Sequence, residues 1–502
     1  MTAPPPPLLP LHDWVALRAR THPDHPAIEG SEGVALNYAA LDDRVGGAAA
    51  TLRALGASEG GRVALLVAAG LDFAVLAHAI PRAGATLLPL NARLAPEELR
   101  YQLRDTGARL LLADARHLDQ ARAAAEGTTA EVVPIHERDW LAADPLPAPD
   151  SIEDERVHSL IYTSGTTGSP KGALLTHANF YWSAVASGEH LGVDPSDRWL
   201  ACMPLFHVGG LSILLRSAIY GTTAVIHDGF DEARVNHAIR SEGVTLLSVV
   251  ATMLRRMLAA DEEPYPSSVR AALVGGGPVP RDLLEAAQAR GLPVLQTYGL
   301  TEAASQVATL SAADALRKLG SAGRPLPATT VAIEVAGDVE ARPAERNEVG
   351  EILVAGPSVF PGYLGRPDAT AEVLRDGWLH TGDLGYLDEE GYLYVADRRD
   401  DLIISGGENV YPAEVEAALA THPAVLEAAV VGLPDPRWGA LVTALVVPAA
   451  GATPTAAELT AHLRTRLAGY KLPRRIELSA EPLPRTASGK LQRHLVRARL
   501  SS

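Results

Sequence analysis

The sequence predicts an α/β and α+β multidomain protein: a large N-terminal domain of α/β layers carrying a β-rich subdomain, then a small C-terminal α+β domain. Three observations lead there. The chain has 502 residues, enough for about two to five domains. Its first 300 residues alternate short apolar runs with amphipathic stretches, the pattern of strands layered against helices. Beyond about Thr329 the runs shorten and are broken by glycine, which reads as antiparallel hairpins.

The elements follow in order. Residues 62–67 and 86–88 read as strands, and 71–82 and 96–106 as the helices beside them. The alternation returns with strands at 244–250, 271–274 and 293–295 and helices at 252–260 and 280–290, so this part reads as rich in parallel sheet. The hairpin-like runs are 349–354 and 391–395. The last hundred residues predict a helix at 412–420, strands near 425–431 and 441–447, and a helix over 454–467 that stops at Gly469. The charge run Asp397-Arg398-Arg399-Asp400-Asp401 marks the boundary between domains 1–397 and 398–502.

Composition narrows the function. Hydrophobic residues are 47% and charged residues 21%, which fits an ordinary folded protein and excludes a disordered or fibrous one. With 44 Lys+Arg against 60 Asp+Glu the net charge is −16, which argues against nucleic acid or an anionic membrane surface as partner. The longest uncharged stretch, 199–215, holds Pro204, His207 and two glycines and falls short of the roughly 20 apolar residues that a membrane span needs. The single cysteine, Cys202, sits in the apolar run Leu200-Ala201-Cys202-Met203-Pro204 and reads as a small buried hydrophobe rather than a nucleophile. No disulfide framework and no basic, apolar leader are present, so a cytoplasmic location is expected. Composition leaves homo-oligomerisation open.

Chemistry concentrates in Thr163-Ser164-Gly165-Thr166-Thr167-Gly168-Ser169-Pro170-Lys171-Gly172, directly after the strand-like Ser159-Leu160-Ile161-Tyr162. Glycines let consecutive N–H groups turn inward, hydroxyls add donors and Lys171 adds charge, a combination that cradles phosphate. It is not a Walker A loop, because no Gly-Lys-Ser/Thr occurs. Farther on, Glu302 follows a strand and a Tyr-Gly-Leu-Thr turn; a carboxylate there can hold Mg²⁺, or simply be a solvated helix-start glutamate. Asp383 reads as lying in a tight turn, where it can accept from ribose hydroxyls or form an Asx-turn. Arg398 can reach ribose or phosphate, or pair with Asp397 or Asp401.

The loop is similar to the phosphate loop of the adenylate-forming superfamily, and six further segments match that family in order: Gly275-Gly276-Gly277-Pro278, Gln296-Thr297-Tyr298-Gly299-Leu300-Thr301-Glu302, Thr381-Gly382-Asp383, the charge run at 397–401, Gly406-Gly407-Glu408-Asn409 and Pro484-Arg485-Thr486-Ala487-Ser488-Gly489-Lys490. The chain is thereby identified as a member, on matches that span Thr163 to Lys490. The resemblance implies the adenylate-forming fold, with a mobile C-terminal lid, and an ATP-dependent, AMP-forming acid–thiol ligase that uses ATP, Mg²⁺, CoA and a small carboxylic acid. It places Thr163, Ser164, Gly165, Thr166, Thr167, Gly168 and Lys171 on the phosphates, with Gly276, Gln296, Tyr298, Gly299 and Thr301 also on the nucleotide. Glu302 takes the metal, Asp383 and Arg398 the ribose, and Lys490 stabilises the charge that gathers on phosphorus as carboxylate attacks; Thr163, Glu302 and Lys490 form the catalytic set. Asp400 aligns with a hinge about which the C-terminal domain rotates, presenting Gly406 and Gly407 to the pantetheine channel. Trp438 with Lys471, Arg474 and Arg475 is expected on the CoA nucleotide. One departure is Ser169, where the family often has lysine; Lys171 remains.

Substrate choice is expected between the loop and Glu302. The segment Met203-Pro204-Leu205-Phe206-His207-Val208-Gly209-Gly210-Leu211-Ser212-Ile213-Leu214-Leu215-Arg216 is apolar except for His207, Ser212 and Arg216, which with Gly275 are the substrate candidates. A cation facing an apolar pocket favours a second carboxylate on the substrate. The wording of this region resembles the o-succinylbenzoate-CoA ligases of menaquinone biosynthesis, whose acid carries an aromatic and an aliphatic carboxylate. The rival readings are another aryl- or medium-chain acyl-CoA ligase and, from a different class, a non-catalytic nucleotide-binding regulator; a carrier-loading adenylation domain is disfavoured because only twelve residues follow Lys490.

Overall fold

Strand periodicity sets up three sheets in the computed structural model of the chain, which describes residues 12–30, 33–138, 140, 144–163, 170–277, 279–335, 342–397, 402–484 and 491–501. The first sheet runs in the order Gly362–Tyr363, Lys171–Thr176, Val157–Thr163, Thr86–Pro89, Arg62–Leu66, Leu110–Ala113 and Glu131–Pro134. Its last five strands are parallel neighbours, joined by helices such as Leu71–Arg82 and Pro96–Thr106. Both expected helices have the bounds read from the sequence. The inner three, Arg62–Leu66, Thr86–Pro89 and Leu110–Ala113, are almost wholly buried and read as short apolar runs.

The second sheet is the largest. Its parallel half contains Arg198–Ala201, Leu246–Val250, Ala271–Gly275 and Val294–Leu300. It turns antiparallel at Ser305–Leu310, earlier than the change of pattern near Thr329, because the hairpin holding the Tyr-Gly-Leu-Thr-Glu segment is a tight reversal within an apolar stretch. The β-rich portion continues through Thr330–Val335, Gly350–Ala355, Trp378–Leu387 and Leu393–Asp397. A third sheet comprises Ile403–Ser405, Glu408–Val410, Val425–Asp435, Gly439–Pro448 and Arg475–Leu478. Helices Pro412–Ala420 and Ala456–Arg464 share one apolar cluster with it, and Arg493–Ser501 packs on its other face. The helix read over 454–467 is shorter, Ala456–Arg464, with Thr455 as its cap. No helix among the described residues is long and apolar enough to cross a membrane.

Candidate active site

The phosphate-loop candidate is held by a hairpin. Val157–Thr163 and Lys171–Thr176 pair antiparallel with Thr163 opposite Lys171, so the two ends of the loop are cross-strand neighbours. Tyr101 donates to the Pro170 carbonyl (3.0 Å) and Tyr162 to Asp105 (2.7 Å), bracing the base of the loop. Ser164, Gly165, Thr166, Thr167 and Gly168 lie outside the described residues, as do Arg398, Asp400 and Lys490.

Glu302 occupies the tip of a second hairpin, in the short 3₁₀ turn Thr301–Ala303. Gly299 lets the hairpin close: a Cβ there would lie 1.6 Å from the Ser305 carbonyl oxygen. Ala304 and Ser305 follow at φ 51° and 103°, a strained pair that turns the chain sharply after the carboxylate. Thr163 Oγ1 lies 3.4 Å from Glu302 Oε1, so the loop base and the carboxylate meet. Gln296, buried behind them, accepts from Val279 N (3.2 Å), and its Nε2 has no partner among the described residues.

Asp383 is not in a turn. It lies within the ten-residue strand Trp378–Leu387, where a bulge next to it and Gly382 at φ 72° redirect the side chain. Tyr298 donates to its Oδ2 over 2.7 Å, joining the second segment to the third. On the opposite side Gly275 and Gly276 end the strand Ala271–Gly275. Val250 separates the two parts of the chain here, one of its γ-methyls facing Gly276 and the other facing Gly407, each 3.2 Å from an added Cβ.

The segment expected on the acyl side forms the helix Val208–Tyr220, with His207 at its N-cap position. Gly210 has no room for a side chain, since a Cβ would lie 2.2 Å from the Pro204 carbonyl oxygen. Ser212 and Arg216 are one turn apart on one face and both are buried. Arg216 donates from Nη2 to Ser183 Oγ (3.0 Å), which donates to the carbonyl of Ala304 beside Glu302 (2.7 Å). Its guanidinium lies 5.8 Å from the Trp199 ring centroid. Among the described residues no carboxylate pairs with it, its Nε and the Ser212 hydroxyl are unpartnered, and burial lowers its pKa.

Glu408, quoted in its motif but given no role by the sequence, reaches from the third sheet to the acyl side. Its Oε2 lies 3.0 Å from His207 Nε2, and Oε1 pairs with Arg93. Burial opposes its ionisation, but the His207 bond with the charges of His207, Arg93 and Lys471 sets its pKa net below the usual glutamate value. Lys471 does not reach toward CoA: it is 4% exposed and pairs with Glu98 and Glu414, each at 2.7 Å. Arg474 and Arg437 stack on Trp438, at 4.1 and 5.1 Å from its ring centroid. The sequence missed Lys471's burial because a Lys-Leu-Pro-Arg-Arg string resembles any basic surface.

The loop base at Thr163 meets a hairpin-tip carboxylate, beside a helix that buries an arginine with no carboxylate partner among the described residues, and the chain belongs to the AMP-binding enzymes: residues 15–364 match the AMP-binding enzyme family and residues 414–490 its C-terminal domain. It is 46% identical, over 488 residues and 96% of both chains, to 2-succinylbenzoate–CoA ligase of Geobacillus kaustophilus (strain HTA426). Among solved structures it is similar to a double mutant of o-succinylbenzoate CoA synthetase from Bacillus subtilis bound with the product analogue OSB-NCoA, with 40% identity, 97% and 98% of the chains covered and TM-score 0.92. The same Bacillus subtilis enzyme in complex with the acyl-adenylate intermediate OSB-AMP matches at 40% identity and 99% of both chains, with TM-score 0.75.

Proposed function

We propose that the chain is a 2-succinylbenzoate–CoA ligase, working through an acyl-adenylate. The observation that carries the substrate is Arg216: a buried cation that has no carboxylate among the described residues, one helical turn from a Ser212 hydroxyl likewise unpartnered among them, in a chain whose full-length relatives bear that name. Burying an unpaired charge is costly, and a substrate with a second carboxylate supplies the missing partner. The second carboxylate sits on Arg216 and Ser212, with His207 and Gly275 along the acyl channel.

The other carboxylate attacks the α-phosphorus of ATP, its oxygen bonding to phosphorus as the bond to pyrophosphate breaks. The CoA thiol, losing its proton, then bonds to the acyl carbon and expels AMP. Thr163, Ser164, Gly165, Thr166, Thr167, Gly168 and Lys171 hold the phosphates, Gly276, Gln296, Tyr298, Gly299 and Thr301 the rest of the nucleotide, Asp383 and Arg398 the ribose, and Lys490 the charge developing on phosphorus. Glu302 and Thr163 offer the hard oxygen donors that magnesium takes, and there the ion would neutralise phosphate charge. For the second half-reaction the boundary at 397/398, with Asp400 as hinge, lets the C-terminal domain bring Gly406 and Gly407 over the site; contact of Gly407 with Val250 and of Glu408 with His207 supports that reading. The lone buried Cys202 fits a cytoplasmic enzyme.

Pyrophosphate release from Mg-ATP with CoA, measured against 2-succinylbenzoate, benzoate, 4-coumarate, octanoate and malonate, tests the proposal. Preference for 2-succinylbenzoate is expected; equal or greater rates with monocarboxylates would make it a different acyl-CoA ligase, and silence with every acid would remove the chemistry.

A further inference from the structure

Tyr363 stands between the two groups of opposite charge that meet the phosphates. Its hydroxyl donates to Glu302 Oε1 over 2.7 Å, and Lys171 Nζ lies 5.5 Å from its ring centroid. Thr163 donates to the same Oε1, at 3.4 Å. Both donors therefore converge on one carboxylate oxygen, and no hydrogen bond among the described residues falls on Oε2.

The backbone holds the tyrosine as firmly as the side chain. Gly362 and Tyr363 pair with Leu174 and Ala173 on the edge of the first sheet. Tyr363 N donates to Thr370 Oγ1 (3.0 Å), and Leu364 N to the carbonyl of Gly172 (2.9 Å). Phe360 N donates to the main-chain carbonyl of Glu302 (2.8 Å), so one short segment binds this residue through both main chain and side chain. Gly362 makes the approach possible: at φ +142° its Cβ would come within 2.6 Å of Thr370 Cγ2.

A carboxylate given a phenolic proton at one oxygen is fixed in orientation and keeps the other oxygen for a cation, as partners behind a metal ligand do. The ring adds a face that attracts the Lys171 ammonium. We infer that Tyr363 is a positioning residue for magnesium-dependent nucleotide binding, aiming Glu302 through its hydroxyl and Lys171 through its ring. The inference rests on the assignment of Glu302 to magnesium.

Isothermal titration of ATP into the full chain, in EDTA and across a magnesium series, separates the roles. Tyr363→Phe keeps the ring and is expected to raise the magnesium concentration for half-maximal enhancement of ATP binding about tenfold, the loss of one hydrogen bond to a charged group, with affinity in EDTA and Tm unchanged. Tyr363→Leu should in addition weaken binding in EDTA several-fold. An unmoved magnesium dependence in Tyr363→Phe, or equal losses with and without magnesium, would overturn the inference. Glu302→Gln is the control: if it leaves the magnesium dependence unmoved, the metal assignment fails and takes this inference with it, whereas a shift in Glu302→Gln alone overturns only the role of Tyr363.

Discussion

Two buried cations in this molecule are treated in opposite ways. Lys471, at the junction of the third sheet with the helix Pro96–Thr106, is held by two carboxylates, Glu98 and Glu414. Burial works against its charge, but those carboxylates raise its pKa above the ordinary lysine value. Arg216, under the second sheet, has a serine hydroxyl and an indole face and, among the described residues, no carboxylate, and burial alone lowers its pKa. The lysine is satisfied by the fold; the arginine is left to be satisfied by something that binds. A buried charge marks a site only when the protein withholds its partner.

That contrast is most exposed to test at Arg216. Arg216→Ala is expected to lower kcat/KM for 2-succinylbenzoate roughly 10²–10³-fold, the scale of losing one partner of a buried charge pair, with little effect on benzoate; equal losses with both acids would break the comparison. Thermal unfolding should show a smaller loss than breaking the Lys471 network, since no internal ion pair is removed and only the Ser183 hydrogen bond and packing on Trp199 are lost. Lys471→Met should behave conversely, costing about 3 kcal/mol of stability by stranding Glu98 and Glu414, while leaving acyl-adenylate formation from ATP intact. A milder probe is Glu98→Gln, which keeps the Lys471–Glu414 pair and should lower stability by about 1 kcal/mol.

A third solution to burial is to carry no charge, and it can be titrated. His78, His158 and His177 lie beside Trp14 and Asp13 in the core of the large domain. Burial pushes His78 and His177 down from 6.5 to about 4, and His158 well below 6.5. The unfolded chain therefore binds more protons between those values, so this stability is complete above about pH 6.5 and is lost as pH falls toward 4, by about 3 kcal/mol for each of His78 and His177. Chemical denaturation at pH 7 and pH 5 checks the sign; a flat profile would show these rings to be charged or solvated.

Much of this was legible in the sequence. The helices 71–82, 96–106 and 412–420 were exact because clear punctuation, or proline at the first turn, flanks strong apolar spacing. Arg216 and Ser212 stood out in the sequence because polar residues in an otherwise apolar segment must be explained, and the structure finds both buried. Tyr363 and Glu408 were not, since their partners lie 61 and 201 residues away, and neither a tyrosine after glycine nor a glutamate in a glycine-rich loop announces what it touches. Asp383 was misread as a turn residue because a bulged strand and a turn use the same small residues. Lys471 was misread because burial is a property of packing, which a basic string does not encode.

Cys202 gives the proposed reaction a form of chemical hygiene. An activated acyl group is open to attack by any thiolate within reach, including one of the enzyme's own. The only thiol in the chain, next to the strand Arg198–Ala201, is 1% exposed, with its pKa pushed up by burial to about 12. At neutral pH it offers almost no thiolate, so the incoming CoA thiol meets no competing thiolate from the protein itself.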